Sequence, residues 1–97
     1  MKFGAKYELV RGFGKGINMT KNYIVGRLGY NPQNDRYGLL VSDLWEHTGF
    51  HCGESLEVMI NGEWVHTCME MSLDRKWYLV DTPYFDNLEN IQARIEG

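Results

Sequence analysis

Leu56-Glu57-Val58-Met59-Ile60-Asn61-Gly62-Glu63-Trp64-Val65-His66-Thr67-Cys68-Met69-Glu70-Met71 is the stretch whose reading decides the fold. Two runs of alternating character flank Asn61-Gly62, the residue pair that best accepts positive φ at both centres of a type I′ turn. The stretch therefore predicts a β-hairpin with strands Leu56 to Ile60 and Glu63 to Met71. A two-residue turn also fixes the register. Ile60 opposes Glu63, Met59 opposes Trp64, Val58 opposes Val65, Glu57 opposes His66, Leu56 opposes Thr67 and Ser55 opposes Cys68. Leu56, Val58, Ile60, Val65, Met69 and Met71 then share one face, expected to be core, while Met59, Trp64, Glu57, His66, Ser55, Cys68 and Glu70 take the other. The preceding loop, Gly49-Phe50-His51-Cys52-Gly53-Glu54, is expected to be a structural turn that sets the hairpin, with Gly53 required by its backbone and Glu54 capping local amides.

Working outward, Phe3, Ala5, Tyr7 and Leu9 alternate with Lys6 and Glu8 and predict a strand near Phe3 to Val10. Gly12-Phe13-Gly14-Lys15-Gly16 lacks the spacing and the Lys-Ser/Thr ending of a phosphate loop and reads as a turn or linker. Tyr23 to Tyr30 and Tyr37 to Val41, joined by Asn31-Pro32-Gln33-Asn34-Asp35-Arg36, predict a second hairpin. Ser42 to Thr48 reads as a loop in which Ser42 or Asp43 could cap one helical turn. Trp77 to Val80 and Ile91 to Ile95 are predicted strands, and Asp81 to Asn90, which contains Pro83, could hold one helical turn around Asn87 to Glu89. Six or seven short strands with no βαβ rhythm predict a mainly β fold: a small antiparallel barrel or curled sheet, SH3-like, with at most one or two short helical turns.

A chain of 97 residues suits one domain that needs neither disulfide nor metal to fold. The expected division is an N-terminal extension over residues 1–22, a strand plus a glycine-rich turn packed on or linked to the core, followed by one small barrel over 23–97. No apolar run approaches the length of a membrane helix, and the N-terminus lacks the apolar stretch of a signal peptide, so a cytoplasmic protein with free Cys52 and Cys68 thiols is expected. The net charge of −3 is unevenly spread: up to Arg36 there are seven basic and two acidic residues, and beyond it three basic and eleven acidic ones. Attraction between the two parts is the simpler reading, and contact of the basic part with a phosphate backbone or an acidic partner is the other.

From about Arg27 to Ile95 the sequence resembles an uncharacterised family of small bacterial domains of unknown function, best represented in Firmicutes. The resemblance rests on Tyr30-Asn31-Pro32, Arg36-Tyr37-Gly38, His51-Cys52-Gly53-Glu54, Leu56-Glu57-Val58, Asn61-Gly62-Glu63-Trp64, Trp77-Tyr78-Leu79-Val80 and Arg94-Ile95. It implies a small β-barrel of the SH3-like kind with no established activity. The chain departs from the family pattern at Cys68, where arginine is usual, and at Asn90, where glycine is usual, so chemistry that depends on His66 or Cys68 would be peculiar to this protein.

Three functional readings follow. The leading one is a non-enzymatic domain that binds a protein or peptide through the outward hairpin face and the adjoining loop, with Trp64, Met59, Glu57, His66, Trp45, His51 and Glu54 as contact residues. An exposed tryptophan beside methionine with a polar rim has the composition of such a patch, and Trp64 and Trp45 are the two aromatic residues expected at the surface. The second is nucleic-acid binding through Arg11, Lys15, Lys21 and Arg27, with Phe13 interleaved. The third, ranked last, is a metal or thiol site at His51, Cys52, His66 and Cys68, whose spacing is poor for zinc and among which adjacent His51 and Cys52 point in different directions. Glu57 opposite His66 is expected to be surface decoration. No cofactor and no membrane partner are expected, and homo-oligomerisation stays open.

Overall fold

The structure is a computed structural model that describes residues 6–11 and 20–97, with side chains from Asn22 onward. All described regular structure is β: β1 Lys6–Arg11, β2 Thr20–Asn31, β3 Arg36–Val41, β4 Leu44–His47, β5 Ser55–Ile60, β6 Glu63–Met71, β7 Trp77–Leu79 and β8 Gln92–Glu96. Every pairing is antiparallel, in the order β4-β3-β2-β8-β5-β6-β7, with β1 on β2 beside that path. β2 is long enough to pair with β1 through Thr20 to Val25 and with β3 through Arg27 to Asn31, while β8 pairs with Tyr23 to Arg27. Of the two architectures anticipated, the curled sheet is the one adopted: among the described residues no ladder joins β4 to β7, so the sheet does not close into a barrel. No helix is long and apolar enough to cross a membrane among the described residues.

The decisive hairpin adopts the predicted register at all its pairs, Ile60↔Glu63 through Ser55↔Cys68, and Asn61 and Gly62 take φ of 53° and 82°. Leu56, Val58 and Met69 are buried beneath it and join Leu28, Leu39, Phe50, Leu79, Leu88 and Ala93 in one core, and Thr67 is buried on the same face. Burying a side chain of this size is worth about 1.5–3 kcal/mol each, so this shared inner face is what holds the curled sheet together.

The segment expected as a loop at Ser42 to Thr48 contains β4. Ser42 and Asp43 both adopt positive φ, 52° and 65°, so that Val41 and Leu44 pair across a two-residue turn. That turn is built without glycine, and every side chain from Ser42 to Glu46 is exposed, which removes both the turn signal and the alternation that would announce a strand. Trp45 lies over Gly29 and Gly38, which face each other across β2 and β3; a Cβ at Gly29 would meet the Leu40 side chain first and one at Gly38 the His47 carbonyl oxygen, with the Trp45 ring 3.7 and 3.0 Å away. No helical turn forms around Asn87 to Glu89. Asp81, Asp86 and Asn90 have positive φ, and a bridge between Tyr78 and Phe85 folds this segment back as irregular turns. The strand predicted near Phe3 to Val10 corresponds to β1, with Phe3 to Ala5 outside the described residues, as is the Gly12 to Gly16 turn.

Candidate binding cleft

The outward face of the hairpin continues across β8 onto β2, because Glu57 pairs with Arg94 and Arg94 pairs with Val25. Alternation puts Tyr23, Arg94, Glu57 and Trp64 on that one face. The Arg94 guanidinium lies between two rings, 3.8 Å from the centroid of Tyr23 and 4.4 Å from that of Trp64. Its Nε donates to Oε1 of Glu57 at 2.6 Å, and Nη2 stands 2.6 Å from the same oxygen. Arg94 is only 8% exposed. A planar, weakly hydrated cation can be stacked and hydrogen-bonded at once, which an ammonium group cannot match, so this position suits arginine specifically.

The expected pairing of Glu57 with His66 holds in register only. The two are cross-strand neighbours, but the carboxylate turns to Arg94, whose fork offers two donors, and His66 stays exposed. Trp64, expected to be exposed, is half-buried because the Arg94 guanidinium covers its ring; Trp45 is 38% exposed, as anticipated.

Beside this stack opens a cleft of about 420 Å³ lined by Tyr23, His47, Glu54, Ser55, Leu56, Glu57, His66, Arg94, Ile95 and Glu96. One wall is built by His47 at the end of β4 and Glu54 at the start of the hairpin. His47 stacks on the fully buried Phe50 at 4.2 Å, and its Nδ1 accepts the Gly49 N–H at 3.1 Å. Nε2 therefore carries the proton and points it at Oε2 of Glu54, 2.5 Å away. The other oxygen of Glu54 accepts the His51 N–H at 2.9 Å, while Gly53 turns at φ 85°. Glu54 thus caps the His51 amide of the loop, as its place in the sequence predicts. Partial burial pushes its carboxyl up, but the His51 amide and then His47 outweigh this, and the group is held below the usual carboxylate range.

The structure divides the residues singled out from sequence. Glu54, Glu57 and His66 line the cleft, with Trp64 and Met59 on the adjoining face. His51 and Cys52 face a separate hollow with Asn34, Arg36, Met71 and Trp77, and Trp45 faces a third with Pro32, Gln33 and Thr48. The four candidate metal ligands separate into two pairs, His51 and Cys52 at one hollow and His66 and Cys68 on the outward face of β6, with Cys68 beside the Ser55 hydroxyl at 3.8 Å; among the described residues no group of three or more His, Cys, Asp or Glu could hold a metal ion. Of the basic set, Arg27 is engaged by Asp43 at 2.5 Å and by Asn90 at 3.1 Å, and the side chains of Arg11, Lys15 and Lys21, like Phe13, lie outside the described residues. Arg94, Tyr23 and His47 were not singled out for the site. Their meeting depends on β8 entering between β2 and β5, and no local pattern encodes that neighbourhood.

No curated protein and no solved structure matches the chain. A family model does match, over residues 26–95, and that span contains the glycine pair beneath Trp45, the His47–Glu54 wall, the hairpin and Arg94. The chain therefore belongs to the family described as Domain of unknown function (DUF5348).

Proposed function

We propose that the protein is a non-enzymatic interaction domain that binds a protein or peptide in the cleft between the outward hairpin face and the Glu54 loop. The observation that carries this reading is the cleft itself: it opens where the two predicted contact regions meet, and its volume of about 420 Å³ falls within the range of small-ligand and side-chain pockets. The preorganised surroundings support it further. Arg94 is locked by two rings and a carboxylate, and His47 is oriented by Phe50 and Gly49, so a partner meets a surface that need not be ordered on binding. The titratable groups of the wall are engaged in fixing one another, which suits recognition better than proton transfer.

The test is affinity capture from native cells with the wild-type chain and with Ser55→Lys and His66→Lys, two exposed cleft positions whose side chains hold up little of the fold. A partner recovered with wild type and lost with both variants is the expected result. A recovered set that is the same for all three chains refutes the cleft as the binding site.

A further inference from the structure

A second hollow, of about 490 Å³, stands apart from the cleft and shares none of its lining residues. Three connections of the chain meet there. Asp35 and Arg36 come from the junction of β2 and β3, Cys52 from the loop before the hairpin, and Arg75 from the turn between β6 and β7. Trp77 ties the first to the last, since its Nε1 donates to the Asp35 carbonyl at 3.0 Å. The β6–β7 turn is closed by its own backbone: the Arg75 N–H donates to the Ser72 carbonyl and the Ser72 N–H to the Lys76 carbonyl, each at 2.9 Å. The walls are thus fixed by contacts within the chain.

Two arginines line this hollow, and the fold gives neither a counter-ion. Arg75 has a φ of 66°. The other seven non-glycine residues with positive φ among the described residues are all Asp, Asn or Ser, whose short polar side chains tolerate that conformation. A long cation brings no such relief to the turn, and the Arg75 side chain forms no hydrogen bond or ion pair among the described residues. Arg36 holds its guanidinium 5.5 Å from the centroid of the Trp77 ring, and its Nη1 donates to the Phe50 carbonyl at 3.2 Å. Among the described residues that oxygen is the one acceptor met by its five N–H donors. The acidic group of the hollow, Asp35, turns Oδ1 to the Tyr30 hydroxyl and pairs with neither arginine. Two guanidiniums against one carboxylate leave one positive charge, with His51 counted neutral, on a molecule whose net charge is −3. We infer that this hollow binds a small organic carboxylate, gripped by Arg36 and Arg75, with its apolar body against Met71 and Trp77. A monoanion cancels the charge that the lining leaves, and the planar guanidinium fork matches the two oxygens of a carboxylate. The volume is that of a small-ligand pocket. The site is independent of the cleft, so either can fail without the other.

The test titrates the full chain with benzoate, phenylacetate and butyrate, each matched to its neutral primary amide, at constant ionic strength, with the site mapped by amide and indole chemical shifts. The acids are expected to shift Arg36, Cys52, Arg75 and the Trp77 indole, and the amides to bind about tenfold more weakly or not at all. Arg75→Asn removes the cation at a position whose φ asparagine accepts, so its thermal midpoint should stand no lower than that of wild type. Its affinity for the acids should nevertheless fall about fivefold or more, the worth of a charge-assisted hydrogen bond discounted for exposure. Amides that bind as well as acids, or acids that shift no residue of the hollow, overturn the inference. So does an Arg75→Asn chain that keeps the wild-type affinity, or one that melts lower, which would assign the arginine to the turn itself. A blocked glycine peptide with one central glutamate completes the set: shifts at the hollow with the peptide but with none of the free acids would make it a peptide contact and overturn the small-ligand inference.

Discussion

Replacing Arg94 by alanine should cost the fold about 3–4 kcal/mol, more than any other substitution on the outward face. The structure supplies the terms. Arg94 makes two charge-assisted contacts to Glu57, each at 2.6 Å. It stacks between Tyr23 and Trp64 at 3.8 and 4.4 Å, two cation–π contacts worth about 0.5–1 kcal/mol each at exposed sites and more when desolvated. Removing one partner of a buried pair costs about 3–5 kcal/mol. The Glu57 side chain keeps 25% of its exposure and can recover some hydration, which sets the figure at the low end of that range. Arg94→Lys keeps the charge but not the planar fork and should cost about 1–2 kcal/mol; Glu57→Gln keeps an acceptor and should cost about 1 kcal/mol. Urea unfolding monitored by tryptophan fluorescence measures all three. For a chain of this length the alanine variant should melt about 12–32 °C lower. Coupling between Arg94→Ala and Trp64→Leu in a double-mutant cycle should exceed about 0.5 kcal/mol. A loss below about 1 kcal/mol for Arg94→Ala, or the order lysine worse than alanine, would refute the stacked-pair account.

Further expectations concern the turns and the wall of the cleft. Because the folded-state pKa of Glu54 is depressed, its contribution is fully present above the unfolded value near ~4.3 and is lost as pH falls through the lower folded value; urea midpoints measured against pH should fall in that acid window, and less steeply for Glu54→Gln. Gly38→Ala would put a methyl group 2.2 Å from the His47 carbonyl oxygen, a backbone atom that cannot step aside, and should cost about 3 kcal/mol, whereas Gly29→Ala meets the far end of Leu40 at 2.4 Å and should cost about half as much by thermal melting. Ser42→Asn suits the positive φ of its turn position and should raise stability by about 0.5 kcal/mol, while Ser42→Val should lower it by at least as much in the same assay.

What could be read from sequence and what could not divide along the range of the interactions. The β5–β6 hairpin was legible pair by pair because Asn61-Gly62 dictates a turn geometry and period two dictates the faces. Glu54 was legible as a cap because its partner amide, that of His51, is three residues away. β4 was hidden because Ser42 and Asp43 make a glycine turn's conformation without glycine, and because its exposed residues show no alternation. The exposure of Trp64 was overestimated because its cover, Arg94, arrives from a strand 30 residues further on. The stack and the cleft depend on β8 standing between β2 and β5, which no local pattern announces.

The position of β8 also bears on how the chain reaches this state. Strand pairing divides the sheet into two meanders, β2-β3-β4 and β5-β6-β7, each of which closes on neighbours in sequence, and among the described residues β8 alone forms strand ladders to both. Its ladder to β2 closes the largest strand-pairing loops among the described residues: Tyr23 meets Glu96 across 73 residues. Each meander can form early from local contacts, but their union waits for that long closure, whose entropy is lost before the central ladder and the Arg94 stack repay it. The rate-limiting step of folding should therefore be the docking of residues 92–96, and the same short segment that completes the cleft sets the pace at which the molecule is made whole.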